Sequence, residues 1–555
     1  MESGRGVQEK NGAYGHLGNS YSATSEVSAY TSRPLRYFEL EHGIFMKATV
    51  AIIGAGPGGL AAARYLREHG FSCTIFEQSS DIGGQWNSRS EHSGIWPGMR
   101  TNTSRVLTRF SDLPHESGLA TYPTNEEMLA YFKRYAGGFG VIQDVRLNAR
   151  VEHLERSADG YAVRYKSASA DSVTETFQYV VVASGRYNHP SVPQVAGLES
   201  FSGSGGVIHS FRYKDPERYR GLRVLVGGCA ISALEIASDL AMLGAKVVSC
   251  YRRQRYVLPK LFAGVPTDHL AYTRFEALCA EVFPPDVAAN NLKQLVLRAN
   301  GSPEQFGAFK PADDIGQAGI TLGQYFLPLV AEGRISVKPW ISTVAGRRVT
   351  FTDGTQDEFD GIIFATGYDI SLPFLSSAIR KILNQDRQHI DLFKFTFHPE
   401  LPGLAFVGMH DQGGPYIPPL ELQARWIAYV WSGAVVAPRS DDMAEGIANY
   451  HARRGQPQKL AMHTLALLFA RAAGVEPFVE DCPEIARALL FGPLSPASFR
   501  LVGPDRLANA SALCAEDAAA FGAITSTEFR AEEVAKLEAL RNRRQVASGI
   551  SAKAG

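Results

Sequence analysis

The sequence predicts an α/β protein of two parallel-sheet domains, the second inserted into the first, followed by a helical C-terminal extension. Three observations predict it: a glycine-rich turn between strand and helix at residues 54–59, a second such turn at 228–233, and two further apolar strands that end in small-residue turns.

The first turn lies in Thr49-Val-Ala-Ile-Ile-Gly54-Ala55-Gly56-Pro57-Gly58-Gly59. Gly54 lets the chain turn tightly off the strand. Gly56 removes a side chain where backbone meets phosphate, and Gly59 lets helix and strand pack closely. The amides that open the helix face an anion with the positive end of the helix dipole. The next strand, Ser72-Cys-Thr-Ile-Phe76, ends at Glu77, about 20 residues on, where a carboxylate accepts both hydroxyls of an adenosine ribose. This β-α-β unit reads as a Rossmann-like dinucleotide site. Gln78 beside Glu77, and Val151, are counted with its binding residues.

The second unit is Arg223-Val-Leu-Val-Gly227-Gly228-Cys-Ala230-Ile-Ser232-Ala233. Alanine at the second and third fingerprint positions costs a methyl at each close approach. The strand Lys246-Val-Val-Ser249 then leads to Tyr251-Arg252-Arg253, where an NAD-type site would carry an acid. Two guanidiniums suit a ribose 2′-phosphate, because arginine makes paired charge-assisted bonds to phosphate. NADPH is favoured over NADH. Ser232, at the helix start, donates to the pyrophosphate or serves as an N-cap. Opposite ribose preferences in one chain suggest FAD in the first unit and NADPH, its reductant, in the second. Tyr179-Val-Val-Val-Ala183-Ser184-Gly185 and Gly361-Ile-Ile-Phe-Ala365-Thr366-Gly367 are buried strands with small-residue turns, as expected where the chain crosses between two nucleotide domains.

Composition narrows the partners. The 555 residues carry 56 Lys plus Arg against 56 Asp plus Glu, so no broad basic field draws nucleic acid or anionic membrane. A small-molecule substrate is favoured. The six cysteines are scattered and none forms C-x-x-C, which fits a reducing cytosol and argues against a redox dithiol or a metal site. No stretch reaches the roughly 20 apolar residues of a membrane span; residues 426–438 form a shorter run that reads as a core helix. The expectation is a soluble, cytoplasmic protein, with a homodimer as the default assembly.

Further motifs are Gly83-Gly84-Gln85-Trp86, Arg100-Thr101-Asn102 with Phe110-Ser-Asp-Leu-Pro114, His209-Ser-Phe-Arg-Tyr213, Glu421-Leu-Gln-Ala-Arg425-Trp426 and Gly492-Pro-Leu-Ser-Pro496. With the two fingerprints and Ala365-Thr366-Gly367, they make the sequence from about Lys47 to Pro504 resemble the flavin-containing monooxygenases, which oxygenate soft heteroatoms. The identifying pattern of that family is F-x-G-x-x-x-H-x-x-x-Y or F. His209, Tyr213 and Gly205 fit it, whereas Phe201 lies two residues early, as after an insertion in residues 202–206. Related Baeyer-Villiger enzymes carry tryptophan where Tyr213 stands.

The resemblance implies that NADPH reduces FAD, that O2 adds at flavin C4a, and that the resulting hydroperoxide waits for a nucleophilic substrate. The protein then has to exclude water and retain NADP⁺; no catalytic triad is needed. It implies that Asn102 is the active-site asparagine, bonding near the oxygen adduct and the nicotinamide. Gly84, Gln85, Trp86 and Thr101 would line the flavin, and Gln412, in Met409-His-Asp-Gln-Gly-Gly414, would lie near the flavin edge. His209 reads as structural. Three activities fit, in this order: oxygenation of nitrogen or sulfur; Baeyer-Villiger or carbon-hydroxylating chemistry; and an NADPH oxidase or non-catalytic nucleotide-binding protein.

The expected organisation is a flexible N-terminal arm (1–45, with Tyr14, Tyr21 and Tyr30), the FAD domain (46–215 and 346–440), the NADPH domain (216–345) and the helical extension (441–555). Residues 258–314, with little clear periodicity, read as an insertion over the substrate entrance. The last helix is expected at 528–544, with Glu532 paired to Lys536 and Val534, Leu537 and Arg541 aligned.

Overall fold

The computed structural model describes residues 37–39, 45–167, 171–456 and 459–551. The arm expected at 1–45 lies outside these, except that Tyr37–Glu39 pairs antiparallel with Phe45–Lys47.

The chain then runs through β1 (Thr49–Ile53), α1 (Pro57–Glu68), β2 (Ser72–Phe76), α2 (Asn125–Gly138), β3 (Val145–Arg146) and β4 (Tyr179–Val182). It continues through β5 (Gly206–His209), β6 (Arg223–Gly227), α3 (Ile231–Leu243) and β7 (Lys246–Cys250). Helices α4 (Thr267–Ala271), α5 (Arg274–Val282) and α6 (Pro285–Asn300) follow, then β8 (Ile335–Lys338), β9 (Gly361–Phe364) and β10 (Leu404–Phe406). Helices α7 (Ile417–Ser432), α8 (Met462–Ala472), α9 (Ala510–Ala519) and α10 (Ala531–Ser551) complete the elements named here.

Two five-stranded, all-parallel sheets result. The first has the order β10-β4-β1-β2-β3 and the second β5-β9-β6-β7-β8. Strand alternation explains why both faces must be covered. Val50 and Ile52 of β1 join a core with α1, α7 and α8, whereas Ala51 and Ile53 face the core under the antiparallel sheet of Arg150–Ser157, Gly160–Lys166 and Val173–Phe177. The second sheet repeats the plan: Val224 and Val226 meet α3, and Leu225 faces the antiparallel sheet of Ile341–Ala345, Arg348–Phe351 and Gln356–Glu358.

Strand pairing corrects the expected boundaries at 215 and 345. β5 and β9 both belong to the second sheet, through Gly206↔Gly361 and Val224↔Gly361. The chain leaves the first sheet after β4 and returns after β9. The two crossings lie side by side, His189–Pro190 pairing with Tyr368–Asp369.

The stretch 258–314, expected as an insertion, contains α4, α5 and α6. Val296 is the one fully buried residue of the 16-residue α6, although Ala288, Leu292, Leu295 and Ala299 recur at helical spacing along it. Residues beyond 440 are helical but no appendage. α8 lies in the first core, and Arg500, 2% exposed, donates to Tyr65 Oη of α1 and to Ser111 Oγ, each at 2.7 Å. α10 starts three residues later than expected; Glu532 pairs with Lys536 at 2.9 Å, Leu537 packs inward and Val534 stays exposed. Trp426 sits buried in α7.

Candidate active site

At the end of β1, Gly54 adopts φ +105°, and a Cβ there would stand 2.6 Å from Ala183 O at the end of β4. A Cβ on Gly59 would stand 1.9 Å from Gly54 O, so only glycine lets α1 approach the strand. Gly56 differs: its Cβ would meet nothing nearer than Gly84 Cα, at 3.7 Å, an ordinary contact. The protein's own packing does not require glycine at 56, whereas a phosphate laid against the turn does. Helix α1 has no capping side chain; α2, by contrast, has a complete capping box from Thr124 and Glu127. The opening amides of α1 are therefore left for an anion.

Glu77 is buried. Its Oε2 accepts the Ala55 N–H and its Oε1 the Ser79 N–H, both at 2.8 Å. Each oxygen keeps a lone pair for a hydroxyl. Gly83 N–H donates to Ala55 O at 3.0 Å, which brings Gly84 onto the turn. Ala183, Ser184 and Gly185 stand beside it, and Ser184 Oγ is buried without a partner. Pro57 opens α1, and a Cβ on Gly58 would meet Val407 Cγ1 at 2.8 Å. Gln78 is exposed. Val151 packs its side chain into the core beneath the first sheet, with Ile53 and Phe76.

The second unit repeats the turn's close approach and its two flanking backbone bonds. Gly228 adopts φ +135°, and its Cβ would lie 2.5 Å from Ala365 O at the end of β9. The Gly54 N–H to Phe76 O bond, 2.8 Å, matches Gly228 N–H to Cys250 O, 2.9 Å; Ala183 N–H to Ile53 O, 2.9 Å, matches Ala365 N–H to Gly227 O, 2.8 Å. Ala230 is the N-cap residue of α3, again without a capping side chain, and Ser232 lies in the first helical turn. Ala233 Cβ is buried 3.3 Å from where a Gly228 Cβ would stand. Burial pushes the Cys229 thiol up to about 11, so no thiolate opposes a phosphate here. Past β7, Arg252 and Arg253 are exposed at the strand end, with the Arg252 guanidinium 4.8 Å from the centroid of Trp340.

Between the units, Gln85 is already committed. Its Nε2 donates to Tyr187 O at 3.0 Å and its Oε1 accepts the Gly94 N–H at 2.7 Å. Trp86 packs on the first core. Thr101 is buried and donates to Thr103 O at 2.8 Å. Asn102 Oδ1 and Gln412 Oε1 are buried without partners, while Gln412 Nε2 donates to Pro415 O at 2.6 Å. His209 Nδ1 accepts the Phe211 N–H at 3.1 Å, a structural bond. Phe201, the early residue of the motif, packs against the second core beside Gly203.

Sequence reasoning missed the link among these residues. Tyr187 Oη bonds Asp411 Oδ1 at 3.1 Å and Tyr416 Oη at 2.5 Å, and Tyr416 Oη bonds the backbone of Gln412. Gln85 is thereby tied through Tyr187 and Tyr416 to Gln412. Tyrosines 229 positions apart carry no spacing signal. The described residues contain no group of three or more His, Cys, Asp or Glu side chains able to hold a metal, and none of their helices is long and apolar enough to cross a membrane.

Two dinucleotide units that share one plan and differ at the ribose end define a flavoprotein oxidoreductase with a nicotinamide reductant. The residues fit both groups: Gly56 in the first turn and the small Ala230 in the second where a phosphate approaches, uncapped helix amides in both, and unpartnered oxygens on Ser184, Asn102 and Gln412. Residues 47–518 match the flavin-binding monooxygenase-like family, and the chain belongs to it. Dimethylaniline monooxygenase [N-oxide-forming] 2 of Cavia porcellus is 30% identical over 489 residues, 83% of this chain and 89% of that protein. The S-allyl-L-cysteine S-oxygenase structure from Allium sativum matches with TM-score 0.56 and 26% identity over 77% of this chain and 88% of that one. NADP⁺-bound cyclohexanone monooxygenase from Rhodococcus sp. Phi1 shares the fold, with TM-score 0.59 and 17% identity over 78% and 98% of the two chains. The protein is a FAD-containing, NADPH-dependent monooxygenase with O2 as co-substrate.

Proposed function

We propose that this enzyme oxygenates a soft nucleophilic nitrogen or sulfur of a small molecule. The observation that carries the reading is the set of neutral, unpartnered oxygens at Asn102, Gln412 and Ser184. Such groups orient neighbours without acting as strong acids or bases, which suits a substrate that needs only to offer a lone pair. Tyr213 supports the same reading: it is fully buried against Trp96, at 5.7 Å between ring centroids, where Baeyer-Villiger enzymes carry tryptophan. The N-oxide-forming and S-oxygenase activities named for two relatives agree with it.

Bound FAD, once reduced by NADPH, supplies the activated oxygen. In the first unit, Gly54, Ala55, Gly56, Gly59 and the opening amides of α1 hold its pyrophosphate, and Glu77 its ribose. In the second, Gly228, Ala230, Ser232 and Ala233 hold the NADPH pyrophosphate, and Arg252 and Arg253 its 2′-phosphate. Asn102 offers Nδ2–H and Oδ1 where oxygen reacts, and Gln412 its Oε1 at the edge of the same site.

The test is a panel of tertiary amines, thioethers and cyclic ketones, each supplied with NADPH and O2, with products and hydrogen peroxide quantified. N-oxides or sulfoxides formed in step with NADPH consumption support the reading. Esters or lactones from ketones, with amines and thioethers inert, overturn it. Asn102→Ala is expected to leave NADPH-driven flavin reduction nearly intact and to divert NADPH toward hydrogen peroxide; unchanged coupling removes Asn102 from the oxygen site.

A further inference from the structure

The turn that carries Asn102 is clamped from a distant part of the chain. Asp268 of α4, in the stretch between β7 and β8 of the second sheet, accepts the Ser104 N–H through Oδ2 at 2.6 Å. Its neighbour His269 places Nε2 3.2 Å from Ser104 Oγ. Both side chains are buried, at 5% and 1% exposure. Within the turn, Thr101 Oγ1 donates to Thr103 O at 2.8 Å, and the Thr103 and Thr108 hydroxyls bond each other at 2.7 Å. Local bonds therefore shape the turn, and the bonds to Ser104 tether it to α4.

The tether is costly as a purely stabilising device. Asp268 Oδ1 and His269 Nδ1 are buried without partners, and a buried carboxylate with an unmatched oxygen stabilises less than an apolar side chain of its size. Phe521 meets the His269 ring edge-on, centroids 5.2 Å apart, so the C-terminal region closes the cluster from behind. Tyr122 and Tyr272 are the titratable groups facing Asp268, and Arg105 the charged group facing His269. Burial pushes the Asp268 carboxyl up to about 6 and His269 down to about 3.

We propose that Asp268 is a positioning residue for the monooxygenase reaction: from the stretch inserted between two strands of the second sheet, it holds the Ser104 backbone and so sets the Asn102 turn two residues upstream. The proposal rests on the reading of Asn102 as the oxygen-site amide. A charge-assisted bond to a backbone N–H is strong and directional, and fixing one end of so short a turn limits the wander of its amide. Geometry at the oxygen site thereby depends on how the two nucleotide units are docked.

The test compares wild type, Asp268→Ala, Asp268→Asn and Asn102→Ala as FAD-loaded enzymes. The readouts are hydrogen peroxide formed per NADPH at saturating substrate from pH 5.5 to 8, and the rate of anaerobic flavin reduction by NADPH. Asp268→Ala is expected to raise the peroxide fraction at least threefold at pH 7.5, with reduction within twofold of wild type. Asp268→Asn, which keeps an oxygen acceptor for Ser104 N–H but not the charge, is expected to couple between wild type and Asp268→Ala at pH 7.5. The wild-type peroxide fraction is expected to rise toward the Asp268→Asn level as pH falls through about 6, and that step is absent in Asp268→Asn. If Asn102→Ala leaks peroxide while Asp268→Ala couples like wild type, the positioning role is overturned and the Asn102 reading stands. If Asn102→Ala couples normally, the Asn102 reading itself fails. Should Asp268→Ala lose its flavin, the wild-type pH step and its absence in Asp268→Asn decide: both observed supports the role, and identical pH profiles overturn it.

Discussion

The two nucleotide units use one backbone plan to different ends. In each, a strand turns at a positive-φ glycine tight against an alanine carbonyl of the neighbouring strand, and an uncapped helix follows. They differ at three places. The first unit has Gly56 and Gly59 where the second has Ala230 and Ala233, and the first ends at buried Glu77 where the second ends at exposed Arg252 and Arg253. On the proposed reading, the turn serves as a generic pyrophosphate site and the strand end selects the ribose. Ala233, the later of the two alanines in the second fingerprint, is a variation the packing absorbs, since it is buried beside its own turn.

The sharpest way to break the comparison is Gly59→Ala. Its methyl would stand 1.9 Å from Gly54 O, and displacing backbone to relieve such a clash costs about 3 kcal/mol. Loss of flavin absorbance per mole of purified protein is the expected result; a fully flavinated variant would show that the two turns are interchangeable. Next in size, Arg252→Ala or Arg253→Ala is expected to weaken NADPH binding by about 1.5 to 3 kcal/mol, roughly 10- to 100-fold, and to leave NADH nearly unchanged. Equal losses for both nucleotides would remove the arginines from the 2′-phosphate.

Acid should separate the units as well. Burial holds His115 down to about 4, His410 to about 3 and His463 to about 4, all around the first sheet. Their folded-state values lie below the unfolded value near 6.5, so the stability they contribute is present above pH 6.5 and is lost as pH falls toward 4, by about 1.4 kcal/mol per pH unit per histidine. In the second unit and the stretch inserted in it, His209 and His269 are likewise held down, to about 4 and about 3, but Asp239 of α3 and Asp268 of α4 are each raised to about 6, mainly by burial. A raised carboxyl has the opposite sign: its contribution is present at low pH and lost as pH rises through 6. Flavin release is therefore expected to precede loss of NADP⁺ binding in a titration from pH 7 to 4.5, monitored by flavin fluorescence and nucleotide binding. The smallest effect belongs to Ala233→Gly, expected to cost about 1 kcal/mol of helix stability in thermal melts, with NADPH affinity retained.

Much of this was legible because it is local. Glycine spacing, strand-end charge and the small-residue turns at 183–185 and 365–367 all report backbone geometry within a few residues. Strand membership was not: whether β5 and β9 join the first or second sheet depends on pairing partners more than 150 residues apart. Helix α6 carries apolar residues at helical spacing that the reading of 258–314 passed over, and the sheet face that Val151 takes depends on a pairing the sequence does not mark. Gln85 was read as a cofactor neighbour, yet its amide ties its own loop to Tyr187. The Tyr187–Tyr416 bond and the Asp268 clamp on Ser104 join residues that only the fold brings together.

The most direct test of the division between the units is anaerobic bleaching of the bound flavin by NADPH and by NADH, measured by stopped flow across a concentration series in wild type and in Arg252→Ala. Saturation by NADPH at concentrations at least tenfold below those needed for NADH in wild type, with that gap largely closed in the variant, is the predicted result. Equal half-saturation by the two nucleotides in wild type, or a gap untouched by the substitution, would contradict it.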